Sequence, residues 1–548
     1  MTDPTTIADP QRALGDVLAE SLADPWGRIS PADHDTGLLV RAWARAPGLF
    51  PPELGQGALG ALLRRQNPSG SWGPAAAPVP YHFVPTLGAL CGLLAVDAAR
   101  PRLGSPAGVR DAVHRGLRFL ADHADELGAP DGPDTVAVEY LLPALLEDIG
   151  AHIGSPGEAT APGPDGRSPV LPRSVADRLL DAMRPERQRL ADLRARAGAG
   201  GSLPGQLAFS LEVLTRPPAG HPAFGEGGGP VGCSPAATCA VLSWRAHADP
   251  AGAVRYLTGM QARQPGGAMP AIAPMAAMER SWTVAGLARL DHPVPGDLAR
   301  ALVRYFSRAL ARGAAPLGPG LPPDADVTAN MLLALAHLRR PADPAPLDPF
   351  EQATRYAAYR GERTASASVN AHVLEALGAW SAARAGRPPH SGTAKARDWL
   401  LDTQSPDGTW DDKWHASPYY ASCAAAMALG RHGGRSSRAA VDRTERWVLA
   451  TQRPDGSFGI WCPTLDETAH AAQFLLARHG RPVPDDRSPP AQAVRAAAGF
   501  LARNQDAAPG HPVRTPLWHG KELYEPERLV RSLVLAVLAA CPAPAEAA

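Results

Sequence analysis

Lysine is almost missing from this chain: of 54 basic residues, only Lys395, Lys413 and Lys521 are lysines. A surplus of either charge is missing too, because 54 acidic side chains bring the formal net charge to +0 at pH 7. That excludes the basic field of a nucleic-acid-binding protein and a polybasic membrane-binding face. Cysteine is sparse, with six scattered residues and no C-x-x-C pair, so neither a zinc ribbon nor a redox motif is supported. A reduced, cytoplasmic setting is the simplest expectation. The opening "MTDPTTIADPQRALGDVLAE" lacks the apolar centre of a signal peptide. No apolar run reaches the roughly 18 residues of a membrane span. Alternating β-branched runs are nearly absent, which argues against a sheet protein.

Helical periodicity is abundant. "LGALCGLLAVDAAR", "ANMLLALAHLRR", "VNAHVLEALGAW", "AHAAQFLLARHG" and "LVRSLVLAVLAA" place apolar residues at i, i+3, i+4 and i+7. The fold class expected is all-α. The stretches 154–174 and 216–235, rich in Pro and Gly, read as surface loops. With 548 residues, the chain is long enough for two domains.

A repeat supports that division. "QNPSGSW" (Gln66, Gly70, Trp72), "QSPDGTW" (Gln404, Gly408, Trp410) and "QRPDGSF" (Gln452, Gly456, Phe458) share one spacing, each after an amphipathic helix. Repeated helix–turn–helix units build solenoids or toroids. One copy near residue 70 and two beyond 400 suggest two toroids. The role expected of these turns is stability.

The acidic pair in "LPPDADVTAN" (321–330) precedes the apolar run "MLLALAHL". An Asp at a helix start serves capping and the helix dipole. Two close carboxyl groups also suit acid–base chemistry, because burial and like-charge repulsion hold the proton on one of them.

With these turns, "DADVTA" (324–329) resembles the D-x-D-D-T-A signature of class II terpene cyclases, with Val327 in place of the third acid. Further segments, in order from about residue 26 to 535, resemble the copalyl diphosphate synthase branch. Among them are "SPADHDTGLLVRAWAR", "GCSPAATCAVL", "ERSWTVAGLARL", "DDKWHASPYYA" and "PLWHGKELYEP". The chain is thus similar to bacterial diterpene cyclases carrying a variant DxDV motif. The resemblance implies two α/α barrels (a βγ didomain): 1–26 as the N-terminal segment of the β barrel, 27–250 as an inserted γ barrel, and 251–548 as the remainder of β.

It also implies roles. Asp326 would be the general acid, Asp324 its partner, and Asn370 a hydrogen-bond partner of the acid from a facing helix. Lys413 and Lys521 would contact the diphosphate; Arg189 and Arg194 lie near another family cation position. Trp282, Trp414 and Tyr419 head the aromatic candidates for facing substrate and cation, with Tyr356, Tyr359, Tyr420 and Trp461; core packing is the competing use of each. Phe209 and Ala271 replace the His–Asn pair that holds a water in plant enantio-copalyl synthases. Mg²⁺ is the expected cofactor, with Asp131, Asp134 and Glu139 as candidates. Class I ionisation motifs are incomplete, so the product should keep its diphosphate.

The expected function is protonation-initiated cyclisation of a linear prenyl diphosphate to a bicyclic diphosphate, with geranylgeranyl diphosphate first and farnesyl diphosphate next. A squalene–hopene-type triterpene cyclase and a non-catalytic helical-toroid binding protein are the alternatives. A prenyl diphosphate is the implied small-molecule partner, with neither nucleic acid nor a transmembrane segment; a homodimer is compatible with this reading.

Overall fold

The computed structural model describes residues 9–541 apart from 100–102, 104–106, 129–131, 151–172, 221–223, 226–228, 363, 385, 387 and 484–485. Most of the expected loop at 154–174 therefore lies outside the described residues.

Helices dominate, and they sort by how much of their surface is apolar. Helices apolar all round are buried as inner staves, and amphipathic ones lie outside them. In the first unit the inner staves are Asp33–Arg45, Phe83–Ala98, Val138–Ile149, the 3₁₀ segment Gly205–Val213 and Pro235–Ser243. Each packs on the next, and the last closes on the first. Small residues let the staves approach: a Cβ on Gly37 would stand 2.1 Å from the Gly88 carbonyl oxygen. Val79–Ala98 has the length and composition of a membrane span, yet 78% of its most apolar window is buried in this ring.

The second unit is a ring of six inner helices: Ala276–Arg289, Ala325–His337, Ala367–Ala382, Pro418–His432, Leu465–His479 and Glu527–Ala540. Gly296–Leu310, Ser391–Thr403, Arg438–Thr451 and Pro489–Asn504 lie outside it. Pro10–Ala23 packs on Glu527–Ala540 and Ala276–Arg289, so the N-terminal helix belongs with this second ring. Helix Pro250–Ala262 departs from the expected division at 250. Tyr256, Leu257 and Met260 lie in the core of the first unit, which runs on to Ala273. Gln261 fixes the helix there by donating its amide to the Leu54 carbonyl at 2.8 Å.

The repeated turns are struts between outer helices. Gln66 Nε2 donates to the carbonyls of Gly70 and Ala112, both at 2.9 Å. Gln404 serves Gly408 and Ala440 in the same way, both at 3.0 Å. Gln452 serves Gly456 at 3.0 Å and Ala493 at 2.8 Å. Each Gln thus ties its turn to the first turn of the next outer helix. The glycine is obligatory for two reasons. Gly70, Gly408 and Gly456 have φ of +92°, +96° and +88°, and a Cβ on any of them would strike a neighbouring backbone carbonyl. Trp72 and Trp410 donate Nε1 to the carbonyls of Leu62 and Leu400, both at 2.9 Å, locking the turn to the preceding helix.

The rings meet through short strands and backbone bridges. Pro31–Ala32 pairs antiparallel with Met269–Pro270, and Val136 N–H donates to the Gly520 carbonyl at 2.8 Å. A cavity lies between them.

Candidate active site

The cavity, about 180 Å³, is lined on the first-ring side by Val136, Gln206 and Phe209, and otherwise by the second ring. Hydrocarbon and aromatic rings make up most of its wall. Asp324, Asp326 and Val327 enter from one side.

The local sequence explains their placement. Asp324 is the N-cap of Ala325–His337, and its Oδ1 accepts from the backbone N–H of Asp326 at 2.7 Å and Val327 at 2.9 Å. Capping therefore falls to Asp324, and Asp326 is not used as a cap. Asp326, in the first turn, is 8% exposed. His372 Nδ1 lies 2.5 Å from its Oδ1, and Asn330 Nδ2 lies 3.5 Å from the same oxygen. Both contacts fall on Oδ1, which leaves Oδ2 as the oxygen to carry a transferable proton.

The electrostatics suit that arrangement. Burial, helped by the Asp326 charge, pushes the Asp324 carboxyl up to about 7. Asp324 therefore keeps its proton below about 7. With its hydrogen on Nδ1, His372 donates to Oδ1 and stabilises the carboxylate that forms as the proton leaves. Val327, 1% exposed, belongs to the apolar wall: the third position of the motif supplies hydrocarbon where an acid was expected by resemblance.

Asn370 does not serve as the partner of the acid. Its Oδ1 accepts from Tyr356 N–H at 2.9 Å, and its Nδ2 donates to the carbonyls of Tyr356 at 3.0 Å and Ser366 at 2.9 Å. It braces a loop. The facing-helix partner of Asp326 is His372, and Asn330 supports it from one turn along the acid's own helix. Both were missed. Asn330 sits at i+4 from Asp326, the spacing that puts side chains on one helix face.

The aromatic candidates divide. Trp282, Tyr359, Trp414 and Tyr420 line the cavity, and Trp518 and Tyr524 join them unforeseen. Tyr419 turns away to pack on Trp447, with centroids 4.4 Å apart, and on Phe458. Tyr356 is buried in the core of the second ring. Trp461 packs edge-on against Tyr81 at 5.1 Å. Two of the indoles are held by protein partners: Trp282 Nε1 donates to Tyr420 Oη at 3.0 Å, and Trp518 Nε1 to Asp466 Oδ2 at 2.9 Å. The rings can then stabilise positive charge without competing for a proton.

The two family-motif lysines also separate. Lys413 Nζ lies over the rings of Tyr359 at 5.1 Å and Trp414 at 4.9 Å, is paired with Glu362, and donates to the Thr364 carbonyl at 3.0 Å. Both rings line the cavity, which places Lys413 next to it. Lys521 is 1% exposed and bound to Glu212 at 2.5 Å and Ser234 at 2.6 Å, behind the Phe209 ring. Its charge is used in a buried cluster, so it is not available to a diphosphate. Arg189 pairs with Glu186, and Arg194 with Glu147. Phe209 lines the cavity, and Ala271 is buried in the adjoining core.

Of the metal candidates, Asp131 lies outside the described residues. Asp134 is exposed, with Thr364 Oγ1 3.5 Å from its Oδ2, which places it near Lys413. Glu139 is half-buried in the first turn of Val138–Ile149. Among the described residues, no group of three His, Cys, Asp or Glu is arranged to hold an ion.

Comparison with known proteins decides the family. Residues 362–475 match the squalene-hopene cyclase C-terminal domain. The chain is 38% identical over 545 residues to labda-7,13-dienyl diphosphate synthase of Streptomyces clavuligerus, covering 96% of this chain and 92% of that protein. The chain belongs to the class II diterpene cyclases. This cyclase is also 37% identical to copalyl diphosphate synthase of Streptomyces cyslabdanicus, over 94% of its own length and 92% of that protein's. It matches the solved ent-copalyl diphosphate synthase of Streptomyces platensis with a TM-score of 0.79 at 36% identity, covering 97% and 99% of the two chains. The Arabidopsis thaliana ent-copalyl diphosphate synthase shares the cyclase fold, with a TM-score of 0.59 at 16% identity, covering 96% of this chain and 62% of that one.

Proposed function

We propose that this cyclase protonates the terminal alkene of a linear prenyl diphosphate, geranylgeranyl diphosphate before farnesyl diphosphate, and closes two rings while the diphosphate is retained. One observation carries the reading: Asp326 is held through Oδ1 alone at the wall of an apolar, aromatic-lined cavity. An alkene is a very weak base, so its protonation requires a carboxylic acid, dry surroundings and no competing acceptor. His372 strengthens the acid by binding the oxygen that becomes anionic. Trp282, Tyr420 and Trp518 present ring faces to the cation as it moves away from Asp326. Lys413 next to the cavity is the cation suited to the diphosphate.

Mg²⁺ fits this chain as a companion of the substrate. It keeps several waters and binds through phosphates with one or two carboxylates, and Asp134, which like Lys413 contacts Thr364, is our candidate to share it. When bound, it neutralises diphosphate charge.

The test is incubation with each prenyl diphosphate, and with detergent-solubilised squalene, with and without Mg²⁺, followed by phosphatase and product analysis. A bicyclic alcohol from geranylgeranyl diphosphate, lost in Asp326→Ala, is expected. Cyclisation of squalene instead would move the chain to the triterpene reading. No cyclisation, with Asp326→Ala indistinguishable from wild type, would sink the proposal.

A further inference from the structure

After the rings close, a carbocation remains and a proton must leave. The cavity wall offers few acceptors. Asp324 uses Oδ1 as a helix cap, and Tyr420 Oη accepts from Trp282. The Tyr524 hydroxyl points to the Met278 sulfur. The first-ring wall presents Val136, Phe209 and the amide of Gln206, whose oxygen is a far weaker base than an imidazole nitrogen. Among the described residues lining the cavity, His519 is the only imidazole.

Its surroundings fix its tautomer. His519 Nδ1 lies 2.9 Å from the Lys413 carbonyl oxygen, which can only accept, so Nδ1 carries the hydrogen. That leaves Nε2 as a bare lone pair. Burial lowers the ring to about 4, so it is neutral near pH 7. Tyr81 Oη lies 3.4 Å from Nε2. Burial pushes this phenol up to about 12, so it keeps its hydrogen, and at 3.4 Å the hydroxyl can turn that hydrogen towards solvent and leave the Nε2 lone pair open. The pair is assembled across the two rings: Tyr81 belongs to the 3₁₀ segment Val79–His82, and His519 to the strand Trp518–His519. Tyr81 is half-buried and so offers a way out towards solvent.

Position along the cavity agrees. Trp518 packs on Tyr420 at 4.7 Å, and Tyr420 neighbours His372, the partner of the acid. One residue on, His519 holds the Lys413 backbone next to the cavity. A substrate with its terminal alkene at Asp326 and its diphosphate near Lys413 therefore places the last-formed cation between the two, alongside this strand. A lone pair there is unsuited to a diphosphate, whose oxygens need donors.

From this geometry we infer that His519 Nε2, assisted by the Tyr81 hydroxyl, is the base that ends the reaction. The inference rests on the cyclisation proposed above. Nε2 takes a proton from a carbon next to the cationic carbon, and the C–H electron pair becomes the π bond of the product alkene. The imidazolium passes its Nε2 proton to Tyr81 Oη as that hydroxyl gives its own proton to solvent, which restores both groups. A carbocation makes the neighbouring C–H so acidic that a weak base suffices, provided that it is unprotonated and in place.

The experiment compares wild type, His519→Asn, His519→Phe and Tyr81→Phe with geranylgeranyl diphosphate. It measures substrate consumption, product distribution after phosphatase, and melting temperature. Asn keeps a donor for the Lys413 carbonyl, so that variant guards against misfolding. Both His519 variants should still consume substrate, with the wild-type alkene falling roughly tenfold or more as a share of products. Hydroxylated and isomeric alkene products should replace it, and Tyr81→Phe should shift products the same way by less. An unchanged product distribution in both His519 variants overturns the inference. So does a loss of consumption with product ratios intact, which would assign His519 to binding or folding. Absence of any cyclised diphosphate from wild type would instead remove the function on which the inference rests.

Discussion

His372 Nδ1 stands 2.5 Å from Asp326 Oδ1 across two adjacent inner helices. Removing the acid should stop the chemistry without unfolding the chain, because Asp326 does not cap its helix. Asp326→Asn is expected to lower turnover by about 10²–10⁴-fold, with a melting curve close to wild type. His372→Leu should lower kcat by about 10²-fold, as loss of a single charge-stabilising donor does. His372→Gln, which keeps a donor, should recover part of it. Equal loss in Leu and Gln variants would show that shape at this site matters more than the hydrogen bond.

Asp324 predicts a pH dependence. Its carboxyl is pushed up to about 7 from an ordinary 3.8. Below about 7 it is neutral; above, it adds a negative charge beside Asp326, where like-charge repulsion opposes the carboxylate that proton transfer leaves behind. Turnover should therefore fall as pH rises through about 7, and Asp324→Asn should flatten that limb. Stability follows the same sign. Between 3.8 and about 7 the folded chain holds a proton that the unfolded chain has released. Rising pH therefore costs stability across that window and no further above it. Urea titrations of wild type and Asp324→Asn at several pH values check this.

The two lysines that look alike in sequence should fail differently. Lys413→Ala is expected to raise KM for the diphosphate more than it lowers kcat, since its ammonium sits next to the cavity. Lys521→Met leaves Glu212 buried without its cation, and should cost about 3–5 kcal/mol in urea unfolding. A KM effect from Lys521→Met with stability intact would reverse the assignment.

Such pairs show what could be read from the sequence. The acids, the apolar helices and the Gln turns were legible because each is encoded locally, by spacing along one element. Which neighbour faces the cavity was not. Successive helical residues point about 100° apart, so Asn370 and His372 look in nearly opposite directions, and a motif aligned two positions off selects a loop brace in place of the acid's partner. Tyr419 and Tyr420 differ by one such step: the first meets Trp447 and the second the cavity. Lys521 needed knowledge of Glu212, 309 positions away in sequence. Helix Pro250–Ala262 likewise takes its place from Leu54, far upstream.

The Gln turns should matter for stability alone. Gln404 Nε2 donates to the carbonyls of Gly408 and Ala440, and replacing it removes both bonds while Thr444 Oγ1 still serves Gly408 at 2.7 Å. Gln404→Ala is expected to cost about 0.5–1.5 kcal/mol for each hydrogen bond lost, since the carbonyls keep Thr444 as a donor. Gly408→Ala should cost more. At φ +96° an alanine is strained, and its Cβ would lie 2.6 Å from the Arg443 carbonyl carbon, a backbone atom that cannot swing aside. Urea unfolding ranks the two. At a temperature where both variants remain folded, kcat and KM should match wild type, because the turn lies outside the cavity. A selective fall in kcat with stability unchanged would give these turns a part in catalysis that their geometry does not.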